Sequence, residues 1–312
     1  MRRREFNLLL GLAAASPWLS SATGALAASS LRVGRYKGDL SYSFEAAGVS
    51  LPYPVSYYVG GAPITEALAS QQLDLAGMSE IPPVFALPSN TTYKLVGVMK
   101  MPPATQVILV PEKSSLEQLA DLRGKRIGYV RATTSHFFLL QVLKEQGLSW
   151  QDVQAINLTT QDGLSAFQSG ELDAWFIYGV FVQFAKFRLG ARLLKDSAGY
   201  LSGNYPYGVT NAAWADPVRR QAVRAYLDAM RETLAWVAAN PRQWAELNGR
   251  LTHVPAAYYL DQLDEQGQLG RLQRPDHASI QSQQQVADAL FAAGAIPQQV
   301  DVSPLWDLDF LA

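Results

Sequence analysis

"ALASQQLDLAGMSEIPPVFA" (67–86) and "AFQSGELDAWFIYGVFVQFA" (166–185) lie 99 residues apart in the chain. Aligned without gaps, they match at Ala67/Ala166, Ser70/Ser169, Leu73/Leu172, Asp74/Asp173, Phe85/Phe184 and Ala86/Ala185. Each reads as a helix, a Leu-Asp step, an apolar strand, a loop and a second helix. The segments before them echo as well: "RVGRY" begins at Arg32 and "RIGYV" at Arg126. One βα plan used twice predicts an α/β protein with two lobes and a cleft between them.

Working outward, strands are expected at 31–36, 55–60, 73–79, 94–100, 105–111, 125–130, 153–159 and 172–178. Helices are expected at 64–72, 115–124, 136–146 and 162–170. Alternating strands and helices argue for largely parallel sheets, whose ligands sit beyond the carboxyl ends of the strands. The loops placed there are 36–38, 77–82, 132–136 and 175–181. From Pro217 the pattern turns helical. Asp216 is an N-cap, Pro217 sits at N1, and Asn240-Pro241 ends the helix. Its stripe of Val223, Leu227, Met230, Leu234 and Val237 is a packed face. A further helix runs through 279–296, with Gly294 as its stop.

Composition narrows the function. The chain has 312 residues, 48% of them hydrophobic, enough for two lobes with their own cores. A formal charge of −1 carries no nucleic-acid footprint. With no cysteine, disulfides, thiolate metal sites and a cysteine nucleophile are excluded. The three histidines, His136, His253 and His277, are not at metal-ligand spacing. No GxSxG, P-loop or GxGxxG motif is present, so no cofactor and no enzyme activity are expected. The N-terminus has a basic "MRRREF", a short apolar "NLLLGLAAA" and "ALA" at 25–27. That predicts a cleaved signal over 1–27, too short to span a bilayer. Arg3-Arg4-Glu5-Phe6 looks like a twin-arginine core. Its removal leaves 285 residues with a net charge of −3 and a soluble, monomeric product exported to the periplasm.

The stretch "ATTSH" (132–136) places Thr133, Thr134, Ser135 and His136 where a helix starts. Two readings stand. The hydroxyls cap free N–H groups, or they join the helix terminus in seating an anion. The other loops add Ser79, Trp175, Tyr178, Phe181, Tyr205 and Tyr207. Small hydroxyls and aromatics in a cleft suit reversible capture of a small organic anion. Trp175 and Phe181 also suit a lobe core.

The chain resembles the sulfonate/nitrate/taurine family of ABC-transporter substrate-binding proteins, aliphatic-sulfonate branch. The resemblance is carried by "LRVGRYKG", "ITEALASQQLDLAGMSEIPPVFA", "ILVPEKSSLEQLADLRGKRIGYVRATTSHFFLLQVLKEQGL", "FQSGELDAWFIYGVFV", "GARLL" and "VDVSPLWDLDFL". It implies a periplasmic-binding-protein type II fold: lobe 1 over 30–110 plus 209–312, lobe 2 over 111–208, joined by two crossing segments. It further implies a ligand in the cleft and a closed form that docks on a permease driven by an ATPase. In that resemblance "ATTSH" matches the headgroup site. "MSEIPP" matches a Gly-Glu-Ala-Pro-Pro loop, with Glu80 aligned and Ser79 replacing glycine. "YKG" makes Lys37 the nearest cation. Tyr178-Gly179-Val180-Phe181 stands where the family has Trp-Asp-Pro-Phe. Losing that aspartate favours a neutral or aromatic tail over an amine. Nitrate, sulfate esters and aromatic sulfonates are the alternative ligands. A desulfinase or pyrimidine-forming enzyme on the same scaffold leans on cysteine.

Replacing Arg3 and Arg4 by lysine is expected to strand the precursor in the cytoplasm. Fractionation and immunoblotting read this, and undiminished export would refute the twin-arginine assignment.

Overall fold

The computed structural model describes residues 31–36, 39–51, 53–58, 60–87, 92–266 and 269–312. The signal over 1–27 and Lys37 therefore lie outside the described residues. The chain is mixed α/β, with two sheets and ten α-helices among the described residues.

The first sheet contains β1 (Val33–Tyr36), β2 (Val55–Tyr58), β3 (Leu75–Gly77) and β4 (Tyr93–Lys100). The second contains β5 (Gln106–Val110), β6 (Arg126–Tyr129), β7 (Gln154–Asn157), β8 (Ala174–Tyr178) and β9 (Arg192–Asp196). Then β10 (Asn204–Thr210) and β11 (Arg271–Gln273) return to the first sheet. The spatial orders are β11-β4-β10-β3-β1-β2 and β7-β6-β8-β5-β9. Both follow one scheme. β1 is parallel to β2 and β3, as β6 is parallel to β7 and β8. A single antiparallel strand that arrives from the other sheet then fills the next place: β10 in the first, β5 in the second.

The chain thus passes between sheets at 101–105 and 197–203. The lobe boundaries expected at 110/111 and 208/209 fall instead at the end of β5 and within β10, so that β5 belongs to the second sheet and all of β10 to the first. The local signal for the first crossing was the Pro102-Pro103 pair just before "QVILV", which was not read as a boundary. β9, β10 and β11 were not anticipated as strands. The helix expected at 115–124 is a single 3₁₀ turn, Leu119–Leu122.

The duplicated plan has a physical cause. Gly34 and Gly128 lack a Cβ where Leu73 and Leu172 press in. A Cβ built there would meet Leu73 Cδ1 at 2.4 Å and Leu172 Cδ1 at 2.5 Å. The residue after each leucine pairs with an arginine two before each glycine. Asp74 Oδ2 accepts from the Arg32 backbone N–H at 2.8 Å and from Nε at 3.0 Å, and Oδ1 accepts from Nη2 at 2.9 Å. Asp173 repeats this on Arg126 at 2.8, 3.1 and 2.7 Å. Each clamp ties the start of a central strand to the start of its parallel neighbour. The two strands then arrive together at their carboxyl ends.

Layers close both sheets. The helix Pro217–Ala239 lays Val223, Tyr226, Leu227 and Met230 against Val33, Leu75, Val96 and Val209. Asp216 caps it from Val218 N–H and Arg219 N–H, as expected. The helix Gly61–Ala69 covers the opposite face through Ile64 and Leu68. On the second sheet, the helix Thr134–Glu145 packs on one face. The helices Thr160–Gln168 and Val180–Leu189 pack on the other. No helix among the described residues is long and apolar enough to cross a membrane.

Asp74 is buried and also faces Arg219 at 3.5 Å. Burial alone would raise its pKa, but the bonds from Arg32 and the charges of Arg32 and Arg219 outweigh it and hold the carboxyl below its usual value. Its contribution to stability is therefore full above about pH 4 and fades as pH falls through the lowered pKa. Asp74→Asn is expected to cost on the order of 3 kcal/mol in urea unfolding at pH 7, because Arg32 keeps a charge without its partner. The more exposed Asp173→Asn should lose less.

Candidate functional site

The carboxyl ends of β1, β3, β6 and β8 meet between the two sheets. Tyr36 closes β1, and Tyr205 and Tyr207 share one face of β10. From the second sheet come Tyr178 at the end of β8, Gln106 beside it in β5, and the start of the 134–145 helix. Neighbouring tyrosines raise the proton affinity of Tyr36, Tyr178 and Tyr207, and Glu80 raises that of Tyr205. Burial is the larger cause at each of them, and Tyr178 is pushed up to about 12. At neutral pH they are uncharged O–H donors.

One polar chain joins the two halves. The Thr134 hydroxyl donates to Gln106 Oε1 at 2.9 Å, and Gln106 Nε2 donates to the Tyr205 hydroxyl at 3.1 Å. Gln106 itself is fixed through its backbone N–H, which donates to Ser197 Oγ at 3.1 Å. Sequence reasoning missed Gln106. The available signal was a lone amide opening an otherwise apolar strand.

The hydroxyl run divides. Thr133 is the N-cap: its Oγ1 accepts from Ser135 N–H at 3.2 Å and donates to Val130 O at 2.7 Å. Ser135 is 0% exposed, and its Oγ accepts from Val130 N–H at 2.9 Å. Both residues tie the loop 130–133 to the helix. Thr134 is the member whose hydroxyl turns away from the loop, to Gln106 in the same half, and Gln106 carries the link to Tyr205 in the other. The capping reading thus holds at Thr133, and Ser135 braces the same loop.

His136 points elsewhere. Its Nδ1 accepts from the Ala132 N–H at 3.3 Å, so its proton sits on Nε2. The ring lies among Phe85, Tyr129 and Trp150, at centroid distances of 5.7, 5.0 and 5.4 Å. Burial, with help from the Arg131 charge, lowers its pKa to about 4. At neutral pH it brings no positive charge.

Trp175 is 1% exposed and packs among Leu164, Phe167, Leu172 and Ile177, in the core of the second sheet. The pleat is the reason. Trp175 and Ile177 face the 160–168 helix, while Phe176 faces the 134–145 helix. Phe181 leans on the same core, 6.4 Å edge-on from Trp175. Trp175 thus belongs to the core, and Phe181, half-buried, packs against its edge. Gly179 has φ +66° and ψ −160°, a backbone that favours glycine, and opens the 180–189 helix without a side-chain cap.

Glu80 is buried with its carboxylate already engaged. Ser202 donates to it, as do Asn204 Nδ2 at 3.1 Å and Ser282 Oγ at 3.0 Å. Burial raises its pKa, and these bonds and the Lys100 charge offset that only partly. It lines a small pocket with Thr105, Thr134, Asn204 and Tyr205. Ser79 is buried next to it. Among the described residues no group of His, Asp and Glu could hold a metal ion. The arrangement offers neutral O–H and N–H donors in a desolvated space, which can satisfy the oxygens of an anion without a counter-ion.

The family profile described as "NMT1/THI5 like" matches residues 44–244. A protein of Escherichia coli K12 named as an aliphatic sulfonates-binding protein is 30% identical over 303 residues, covering 91% of this chain and 92% of that one. The alkanesulfonate-binding protein of Xanthomonas axonopodis pv. citri, solved bound to MOPS, superposes with a TM-score of 0.80 at 25% identity. The match covers 89% of this chain and 98% of that one. The periplasmic aliphatic sulphonate binding protein of Escherichia coli superposes at 0.78 with 27% identity, over 88% and 91%.

The neutral His136 has a cost in acid. Its folded pKa lies below the unfolded value of about 6.5, so stability falls as pH drops from there toward 4. Wild type is expected to lose up to about 3 kcal/mol more than His136→Asn over that window, read by urea unfolding at pH 4.5 and 7. Parallel acid limbs would mean that the ring is solvated.

Proposed function

Because this chain belongs to the NMT1/THI5-like family, we propose that it captures a sulfonate in the cleft between its two sheets and delivers it to an ABC importer. The names of its relatives favour a sulfonate over nitrate or a sulfate ester. The observation that carries the reading is the meeting of neutral hydroxyls from both sheets, Thr134 and Tyr178 from one and Tyr205 and Tyr36 from the other, with the Thr134 proton turning from Gln106 to the guest on binding. A sulfonate buried among them exchanges water for several charge-assisted hydrogen bonds, each contributing roughly 1.5–3 kcal/mol. Tyr36, Tyr178 and Tyr207 wall the space for the tail. Ser135, Thr133 and His136 hold the loop in place from behind, and Trp175 and Phe181 support it from the core. The same reading places the mature chain in the periplasm, with a permease and its ATPase as partners. Capture without chemistry fits a chain that has no cysteine and a site whose polar groups are hydroxyls, amides and a Glu80 carboxylate already held by Ser202, Asn204 and Ser282.

A thermal-shift panel of alkanesulfonates, MOPS, taurine, nitrate and sulfate tests this. A ligand at about 100 times its dissociation constant should stabilise the protein by about 2.7 kcal/mol. Thr134→Ala and Tyr178→Phe are expected to weaken sulfonate binding about tenfold each in calorimetry. Ser135→Ala should lower stability and leave affinity within about threefold, because its oxygen is already engaged by Val130. No shift with any sulfonate, or a Ser135→Ala loss equal to that of Thr134→Ala, would overturn this reading of the site.

A further inference from the structure

The helices Val180–Leu189 and Ala256–Gln266 belong to opposite halves of the molecule. The first packs on the second sheet through Val182 and Ala185. The second pairs with the helix Pro241–Thr252 through Trp244 and Tyr259, whose rings lie 5.6 Å apart, and through Thr252 and the Tyr259 hydroxyl at 2.7 Å. That pair continues directly from the 217–239 helix, which rests on the first sheet.

These two helices nevertheless meet. Lys186 pairs with Glu265 and lies 3.7 Å from Asp261. Gln183 Nε2 donates to Glu265 Oε2 at 2.9 Å. Phe187 stacks on Tyr258 at 5.0 Å and 19°, and Phe184 meets the same ring edge-on at 6.4 Å. Elsewhere the halves touch through the Gln106–Tyr205 bond and through apolar groups, where Phe137 packs with Ile81, Val84 and Leu290. The charged contact is built differently. Its ionic side chains are 28–47% exposed, so water can compete for them. Gln183 Oε1 and Asp261 Oδ2 are buried without a hydrogen-bond partner among the described residues. Parting the helices returns both to water, which offsets part of the lost pairing. Such a contact can form and break without unfolding either half.

We propose that Lys186, Glu265 and Asp261, with the Phe187–Tyr258 stack, form a latch that sets how much of the protein is closed. Through that fraction they set how long a ligand is held. Apparent affinity scales with the population of the binding-competent form, so residues remote from the tyrosine-lined space act on it through closure. Lys186 and Glu265 are positioning residues in this sense. The proposal rests on the two-lobed fold and not on the identity of the ligand.

The cysteine-free chain allows spin labels at Cys introduced for Glu171 and Glu232, one exposed site on each half. Distances are measured by pulsed electron resonance in ligand-free protein for the parent, Lys186→Glu, Glu265→Gln and the swap Lys186→Glu/Glu265→Lys. Lys186→Glu should lower the closed-to-open ratio roughly two- to tenfold, Glu265→Gln somewhat less, and the swap should recover most of the loss. Salt at 0.5 M should weaken the parent's closed population, because half-exposed pairs are screened. With ethanesulfonate as the probe, the dissociation rate should rise by the same factor while the association rate holds. A parent without a closed population, or one distribution shared by all variants, overturns the latch. If no sulfonate binds, the functional reading fails, and the distance distributions still decide the latch. Thermal midpoints of each variant identify any that fail to fold, and Glu265→Gln then serves alone.

Discussion

The pairing of Asp74 with Arg32, repeated by Asp173 with Arg126, fixes the register on which both halves depend. In each, a carboxylate at the start of a central strand holds the backbone and side chain of the neighbouring strand's first residues. A leucine beside it needs the Cβ-free surface of Gly34 or Gly128. The three residue types form one constraint. A slipped register would bury a charge without a partner and drive a methyl group into a Cβ. Because the constraint acts at the amino ends of the strands, the carboxyl ends arrive in step, and that is where Tyr36, Tyr178 and the loop 130–136 stand.

The residues of this constraint were legible as a repeat at fixed spacing, while the Asp–Arg pairing and the leucine-glycine contact between them were not. Asp74/Asp173 and Leu73/Leu172 fall in equal positions 99 residues apart, so the duplicated plan and the long helix after Asp216 were readable. What was not readable depends on pairing between distant segments. β9, β10 and β11 earn their strand geometry from neighbours, and "NYPYGVT" carries a proline and no clear alternation. The change of sheet at 101–105 is marked by Pro102-Pro103, a break that the apolar strands on either side overshadowed. In the cleft, residue types were readable but directions were not. Thr133, Thr134 and Ser135 are alike as letters, yet a helix start turns two of them back to their own loop and one outward. Trp175 was assigned to a cleft by its place after a strand, and the pleat sends it to the core instead.

The electrostatics of the space between the sheets follow from what surrounds it. Burial keeps four tyrosines protonated and His136 neutral, while Lys100 is committed to Asn204 and the Glu80 network. A site of neutral dipoles binds an anion with less dependence on ionic strength than a cluster of cations would. Its selectivity rests on how many acceptor oxygens the guest presents and where they lie. Charge is used at the rim, where Lys186 meets Asp261 and Glu265 and where solvent can modulate it.

The exchange of single strands between sheets has a consequence for how the molecule assembles. The second sheet is drawn from 106–196 and is complete once that segment exists. The first sheet has a vacant place between β3 and β4 until 204–210 is available, and its edge waits for 271–273. During synthesis from the amino terminus, residues 31–100 therefore cannot close their own sheet. They must stay open while more than a hundred further residues are added and an inserted unit folds. The first half is then finished around that insert by the carboxyl-terminal third of the chain. Contacts of such long sequence separation form slowly. An export route that carries folded cargo would have to wait for the last third of the polypeptide.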